Sequence, residues 1–179
     1  SAASDVYKRQ LLGILALPAA NLRLAMPTDG TSKLGTPQRD AYEMTEEAFG
    51  PGRNAPMIAF VDVANVAEQD RLPAFQQILQ EFNDTEGVVN AQIVATTDSQ
   101  DAAQIMITPS TGATDEETTR TLERLRDYQG EFSENTGGSY GITGITPIFD
   151  DISQKLSDVL VPYIAIVLGL AFLVLLLVF

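Results

Sequence analysis

The chain has 179 residues, with 11 Lys and Arg against 24 Asp and Glu, a formal net charge of −13, and neither His nor Cys. Without those two residue types, disulfides, thiolate or imidazole metal sites and Ser-His or Cys-His nucleophilic catalysis all drop out, and a metal could be held only by oxygens. The acidic balance repels phosphate backbones and no basic patch interrupts it, so nucleic acid is not expected as a partner.

In chain order, Ser1 to Gln10 (SAASDVYKRQ) read as translated sequencing-library adapter, and residues 1–10 are set aside as a non-native leader. Residues 11–20 (LLGILALPAA) form an apolar run too short to span a bilayer. It fits a signal-peptide core behind Lys8 and Arg9, a surface anchor, or the end of a truncated transmembrane helix; the domain assignment takes the third reading. Between Asn21 and Asp158 the chain is acidic, with nine basic and 23 acidic residues, and an extracytoplasmic side is preferred for it.

A first helix is announced by Thr36 as N-cap and Pro37 at the first helical position, and runs to Phe49, where Gly50-Pro51-Gly52 stops it. Gly50 and Gly52 can take positive φ around Pro51 and turn the chain into a strand. That strand, Pro56 to Val63 (PMIAFVDV), has the character of a run buried on both faces. Asp70 opens a second helix with Pro73 in its first turn; Leu72, Phe75, Ile78, Leu79 and Phe82 form its apolar stripe. It ends over Asp84 to Gly87. Val88 to Thr96 and Ala102 to Thr108 then read as a hairpin across the polar turn 97–101.

From Asp115 a third helix starts with acidic residues in its first turn and carries Leu122, Leu125, Tyr128 and Phe132 on one side. Asn135 to Ser139 is its exit loop, Tyr140 to Ile145 a fourth strand, and Pro147 the start of a last helix through Ile148, Ile152, Leu156 and Leu160. Val159 to Phe179 contains no charged residue over 21 positions, about 31 Å as a helix, which matches the hydrocarbon core of a bilayer. The order strand, helix, strand, strand, helix, strand predicts an α+β, ferredoxin-like βαββαβ domain with a four-stranded antiparallel sheet, both helices on one face and transmembrane helices on its flanks. The expected domains are 21–146 for the extracytoplasmic α+β unit, 147–158 for a connecting helix, and 159–179 for a transmembrane helix truncated at its C-terminal end.

Several residues invite a chemical role. Asp150-Asp151 falls at the start of the last helix, where capping of the dipole is the simpler account. Asp62 is expected to be solvated at a strand end, and Glu46-Glu47 and Glu116-Glu117 to lie on solvated helix faces. Phe60, Tyr140 and Phe149 could line a lipophilic path, although aromatic residues in strands are more often core. Gly169 could let a membrane helix pack closely, and Asn83-Asp84-Thr85 fits the N-glycosylation pattern but reads better as a helix end. No nucleotide-binding, EF-hand or hydrolase motif is present, so no catalytic, cofactor-binding or metal-ligating residue is assigned, the substrate-binding residues stay unknown, and the chain is read as no enzyme.

The segment Leu22-Arg23-Leu24-Ala25-Met26-Pro27, with Thr36-Pro37-Gln38-Arg39, Ala41-Tyr42, Phe49-Gly50-Pro51-Gly52, Asn54 and Pro56, resembles the start of the second porter domain of the MMPL (mycobacterial membrane protein large) family in the RND transporter superfamily. Asp151-Ile152-Ser153, Lys155-Leu156, Leu168-Gly169-Leu170 and Leu175 to Phe179 are similar to that family's run into its eighth transmembrane helix. The resemblance implies a fragment of a proton-driven exporter of lipids or lipophilic drugs, multi-pass in a bacterial cell membrane, in which porter domains rock to pass cargo. Its implied partners are membrane lipids, the rest of the same polypeptide, a lipophilic substrate and an assembly of three copies. Val159 to Phe179 has no ionisable group except the Tyr163 phenol, so the proton relay would lie elsewhere.

Two rivals stand beside this reading. One is a single-pass, membrane-anchored binding or sensor domain. The other is an acylphosphatase-like enzyme, which would want a basic phosphate cradle, whereas Arg53, Arg71, Arg120, Arg124 and Arg126 are scattered or on an exposed helix side.

Overall fold

A computed structural model describes residues 7, 8, 10, 11, 14 and 27–178. Most of the leader of 1–10, most of the apolar run of 11–20, and Leu22 to Met26 lie outside the described residues, as does Phe179.

Helix α1 is Pro37–Phe49. Thr36 stands at the N-cap with extended backbone, but its hydroxyl donates to the Lys33 carbonyl at 2.8 Å and does not cap the helix. Gly50, at φ 86°, turns the chain out of the helix into a 3-10 turn, Pro51–Asn54. At Gly52 a Cβ would stand 1.6 Å from the Pro109 carbonyl oxygen, so this close approach admits only glycine.

Strand β1 is Met57–Asp62. It is not buried on both faces: Met57, Ala59 and Val61 are sealed in the core while Phe60 is 55% exposed. Helix α2, Glu68–Asp84, starts two residues ahead of Asp70, and this places Pro73 inside the helix on an exposed side rather than in its first turn. Phe75, Ile78 and Phe82 are buried and Leu79 packs beside them, but Leu72 is 58% exposed and Ala74 takes the flanking core position.

Strands β2 (Val88–Thr96) and β3 (Ala102–Pro109) form the expected antiparallel hairpin, with register shifts at 88/90 and 93/95. In the connecting turn the Thr97 hydroxyl oxygen accepts the Asp101 and Ala102 N–H groups, both at 3.1 Å, and donates to the Asp101 carboxylate at 2.6 Å. That hydroxyl and Ser99 hold the Asp101 carboxyl below its ordinary pKa. Helix α3, Glu116–Thr136, ends on Gly137 in the left-handed region, so its exit is two residues long rather than the five of 135–139. Strand β4 is Ser139–Gly144.

The sheet order is β2-β3-β1-β4, with every neighbouring pair antiparallel. This α+β arrangement is compatible with the ferredoxin-like fold, and α2 and α3 bury one face of the sheet. Phe82 and Phe132 meet the Tyr140 ring edge to face, with centroids 5.3 and 5.7 Å away. The Tyr140 hydroxyl donates to the Leu125 carbonyl, and among the described residues no buried side-chain polar atom lacks a partner. Helix α4, Ile145–Val178, begins two residues before Pro147 and continues unbroken for 34 residues. Its stretch Ile145–Leu177 is long and apolar enough to cross a membrane, and none of its most apolar window is buried.

Candidate functional site

Two places join chemistry to architecture. The first is the junction where α4 leaves the sheet. Gly144 has φ +137°, and a Cβ there would lie 2.8 Å from the Pro56 carbonyl oxygen, so β4 can hand over to α4 at this angle only through glycine. Two residues later the buried Thr146 hydroxyl donates to the Ala113 carbonyl at 3.2 Å.

A turn further, Arg126 of α3 spreads its guanidinium over two consecutive carboxylates of α4: Nη1 lies 3.4 Å from Asp150 Oδ2 and Nη2 3.0 Å from Asp151 Oδ1. Gln154 donates to the same Asp150 oxygen at 3.2 Å. Because α4 starts at Ile145, Asp150 and Asp151 stand beyond its first turn, and they serve as the partners of Arg126 instead of capping the helix dipole. Asp150 is only 11% exposed and Arg126 31%, so the fork also corrects the picture of Arg126 as an exposed, unassigned cation.

On another side of the same junction a cavity of about 270 Å³ is lined by Pro27, Thr28, Asp29, Tyr42, Asn54, Ile145 and Phe149. Burial, then Glu46 and Asp115, raise the Tyr42 phenol above its ordinary pKa, so it stays neutral. Here the first continuously described residues, Pro27 to Asp29, lie beside the start of α4.

The second place is the sheet face opposite α2 and α3, which no described helix covers. Ile58, Phe60 and Met106 lie on it; Ile58 pairs with Met106 and Thr143, and Phe60 with Gln104 and Gly141. A shallow cavity of about 340 Å³ runs from Phe60 and Gln104 to Ala95, Thr96 and Thr97.

The remaining candidates disperse. Phe60, Tyr140 and Phe149 sit on the open face, in the core and at the junction, so they do not form one lipophilic path. The exposed Asp62 accepts the Ala64 N–H at 2.9 Å, a local turn. Glu46 and Glu47 are exposed. Glu116 pairs with Arg120 at 2.5 Å, and Glu117 with Arg124 at 2.9 Å, which lowers the Glu117 pKa. Arg71 donates to the Ser99 carbonyl at 3.0 Å, Arg53 is exposed, and a Cβ on Gly169 would touch nothing within 4 Å. Asn83 does more than end a helix: its Oδ1 accepts the Ala91 N–H at 2.9 Å and its Nδ2 donates to the Ala91 carbonyl at 3.0 Å, which ties α2 to β2 as a strand would. Among the described residues no three Asp or Glu side chains gather as a metal cage.

No protein-family profile matches the sequence. The chain is similar to a membrane protein. Membrane protein YdfJ of Bacillus subtilis (strain 168) is 27% identical over 169 residues, 94% of this chain and 23% of that protein. The chain thus spans about a quarter of the length of that curated relative. Among solved structures, SnoaB, a cofactor-independent oxygenase from Streptomyces nogalater, aligns at a TM-score of 0.36 and 10% identity, covering 50% of this chain and 91% of that one. A conserved protein of unknown function from Bacteroides thetaiotaomicron, described as a possible oxidoreductase, aligns at 0.34 and 16%, covering 50% and 95%. Scores this low carry no argument about activity.

These findings correct the family resemblance. With a relative identified only as a membrane protein, and at 27% identity, membership of the MMPL family is not upheld. What stands is similarity to part of a longer membrane protein, together with a helix able to cross a bilayer.

Proposed function

We propose that this chain is the domain outside the bilayer, and the helix that enters it, of a longer multi-pass bacterial transporter for lipophilic cargo. Residues 21–146 are its extracytoplasmic unit, 147–158 the connection and 159–179 the crossing segment. The observation that carries the reading is the junction: the Arg126 fork, the Thr146 bond and the Gly144 turn fix the base of α4 on the domain, and α4 continues unbroken through its apolar part. A motion of that helix in the membrane therefore turns the sheet domain with it as a rigid body. In this reading the domain is a moving wall and performs no enzymatic step; its partners are bilayer lipids, the cargo and the rest of the polypeptide. Energy input lies outside this chain, because Val159 to Phe179 has no ionisable group except the Tyr163 phenol.

The test is flux of a lipophilic fluorescent dye in proteoliposomes holding the full-length protein, with Arg126→Glu as the variant. The expected result is dye movement that R126E suppresses while the protein remains folded by circular dichroism. Absence of flux in the full-length protein, or flux indifferent to R126E, would overturn the proposal. A native chain that ends soon after Phe179 would replace it with a single-pass anchored binding domain.

A further inference from the structure

We propose that Asn83 locks one edge of the sheet: its amide takes the place of an incoming strand on β2, and without it two copies of this chain pair edge to edge through β2. The inference concerns the sheet domain alone and does not rest on transport.

β2 is an outer strand, with β3 on one side only. Such a strand offers a row of backbone N–H and C=O groups to any other extended chain, and proteins ordinarily blunt it with charged side chains. Here the charge is missing. Val88 to Thr96 contains no Asp, Glu, Lys or Arg over nine residues, although one residue in five of the chain is charged. Val89 and Val94 in this run are 68% and 46% exposed. An uncharged run rich in β-branched residues and free of proline is the composition that pairs between chains.

Two devices oppose that pairing. The register with β3 slips between Val88 and Asn90 and again between Ile93 and Ala95, so β2 runs regularly only over Asn90 to Ile93. Inside that stretch both backbone groups of Ala91 are taken by one side chain: Asn83 Oδ1 accepts the N–H at 2.9 Å, and Asn83 Nδ2 donates to the C=O at 3.0 Å. These are the two bonds that a single residue of a neighbouring antiparallel strand would make. The second hydrogen of Nδ2 goes to the Leu79 carbonyl at 2.8 Å, which anchors the lock in the last turns of α2.

A second copy is the partner that fits the unlocked edge, because two β2 strands can meet antiparallel about a two-fold axis near Ala91, each filling the position that Asn83 held on the other. The net charge of −13 opposes this encounter, and salt at physiological strength screens it beyond about 8 Å. Association of the unlocked chain therefore strengthens as salt rises.

The test is sedimentation velocity of the chain in detergent at low and high salt, with Asn83→Ala as the variant. N83A should raise the association constant about tenfold over the parent, the worth of two hydrogen bonds to a newly uncovered edge, and more at high salt. Adding Gln92→Glu, which sets a carboxylate at an exposed position of the same stretch, should return N83A to the parent level. Equal association of N83A and the parent at every salt concentration would overturn the inference. So would an association that Q92E leaves intact, because it would come from a surface other than β2. If N83A does not remain folded by circular dichroism, Asn83→Ser replaces it: the hydroxyl can still donate to the Leu79 carbonyl within the helix but cannot serve both Ala91 groups. Stronger association of N83S, reversed by Q92E, supports the lock, and association at the parent level overturns it.

Discussion

The two faces of one six-residue strand have opposite fates. Along β1, Met57, Ala59 and Val61 are shut away under α2 and α3, whereas Phe60 between them stands more than half exposed. Both faces carry apolar side chains, but among the described residues only the inner one is closed by helices. An inner residue should therefore matter to folding far more than an outer one.

The sharpest way to break that contrast is to truncate the inner face. Phe132→Ala removes a fully buried ring that packs edge to face on Tyr140, and should cost about 3–5 kcal/mol of unfolding free energy, measured by urea titration of the chain in detergent. A loss as small as that of an outer-face substitution would show that the helices do not close the core.

A smaller effect is expected at Tyr140, with a pH signature. Burial first, then Tyr128, Glu81 and Asp127, push its phenol above the ordinary value, so the folded state holds the proton more tightly than the unfolded one. The stability this contributes is fully present below the unfolded phenol value of about 10 and is lost as pH rises through that value toward the folded one. Tyr140→Phe removes the hydroxyl bond to Leu125 and should cost about 0.5–1.5 kcal/mol at neutral pH. The variant should also lose less stability than the parent between neutral and strongly alkaline pH. An unchanged alkaline slope would place the titration elsewhere.

At the junction the expected energy is smaller again and the expected geometry larger. The Arg126 fork is partly exposed, so Arg126→Ala should cost only about 0.2–1 kcal/mol. Spin labels on Glu131 and Ile166 should nevertheless report a broader distance distribution in the variant, because one of the three holds on the base of α4 is gone. An unbroadened distribution would mean that Gly144 and Thr146 suffice.

How much of this was legible in the sequence depends on the range of the interaction concerned. Element order was legible because periodicity and punctuation are local: Pro37 and Gly50 mark the ends of α1, and Phe75, Ile78 and Phe82 recur at helical spacing. Leu72 was misplaced because, at 100° per residue, it lies roughly 80° from the centre of that stripe, where only the neighbouring packing decides exposure. The Arg126 fork closes over 24 residues and the Asn83 tie makes an irregular side-chain pair with Ala91, and neither has a spacing rule to announce it. β1 read as buried on both sides because Ile58 and Phe60 are as apolar as their inward neighbours, and periodicity cannot distinguish a covered face from an open one. The resemblance to a transporter family reached further than the comparisons support, since short glycine, proline and leucine motifs are also what any turn or membrane helix requires.

The smallest predicted effect tests the comparison most directly. Phe60→Ala removes a ring as large as that of Phe132, yet it should shift unfolding by no more than about 0.5 kcal/mol, because the ring is already in contact with solvent. Measuring both substitutions by urea titration in the same detergent decides whether burial or ring size sets the cost: a small loss at Phe60 beside a large one at Phe132 assigns it to burial under α2 and α3, whereas comparable losses would mean that the outer ring is packed as tightly as the inner one.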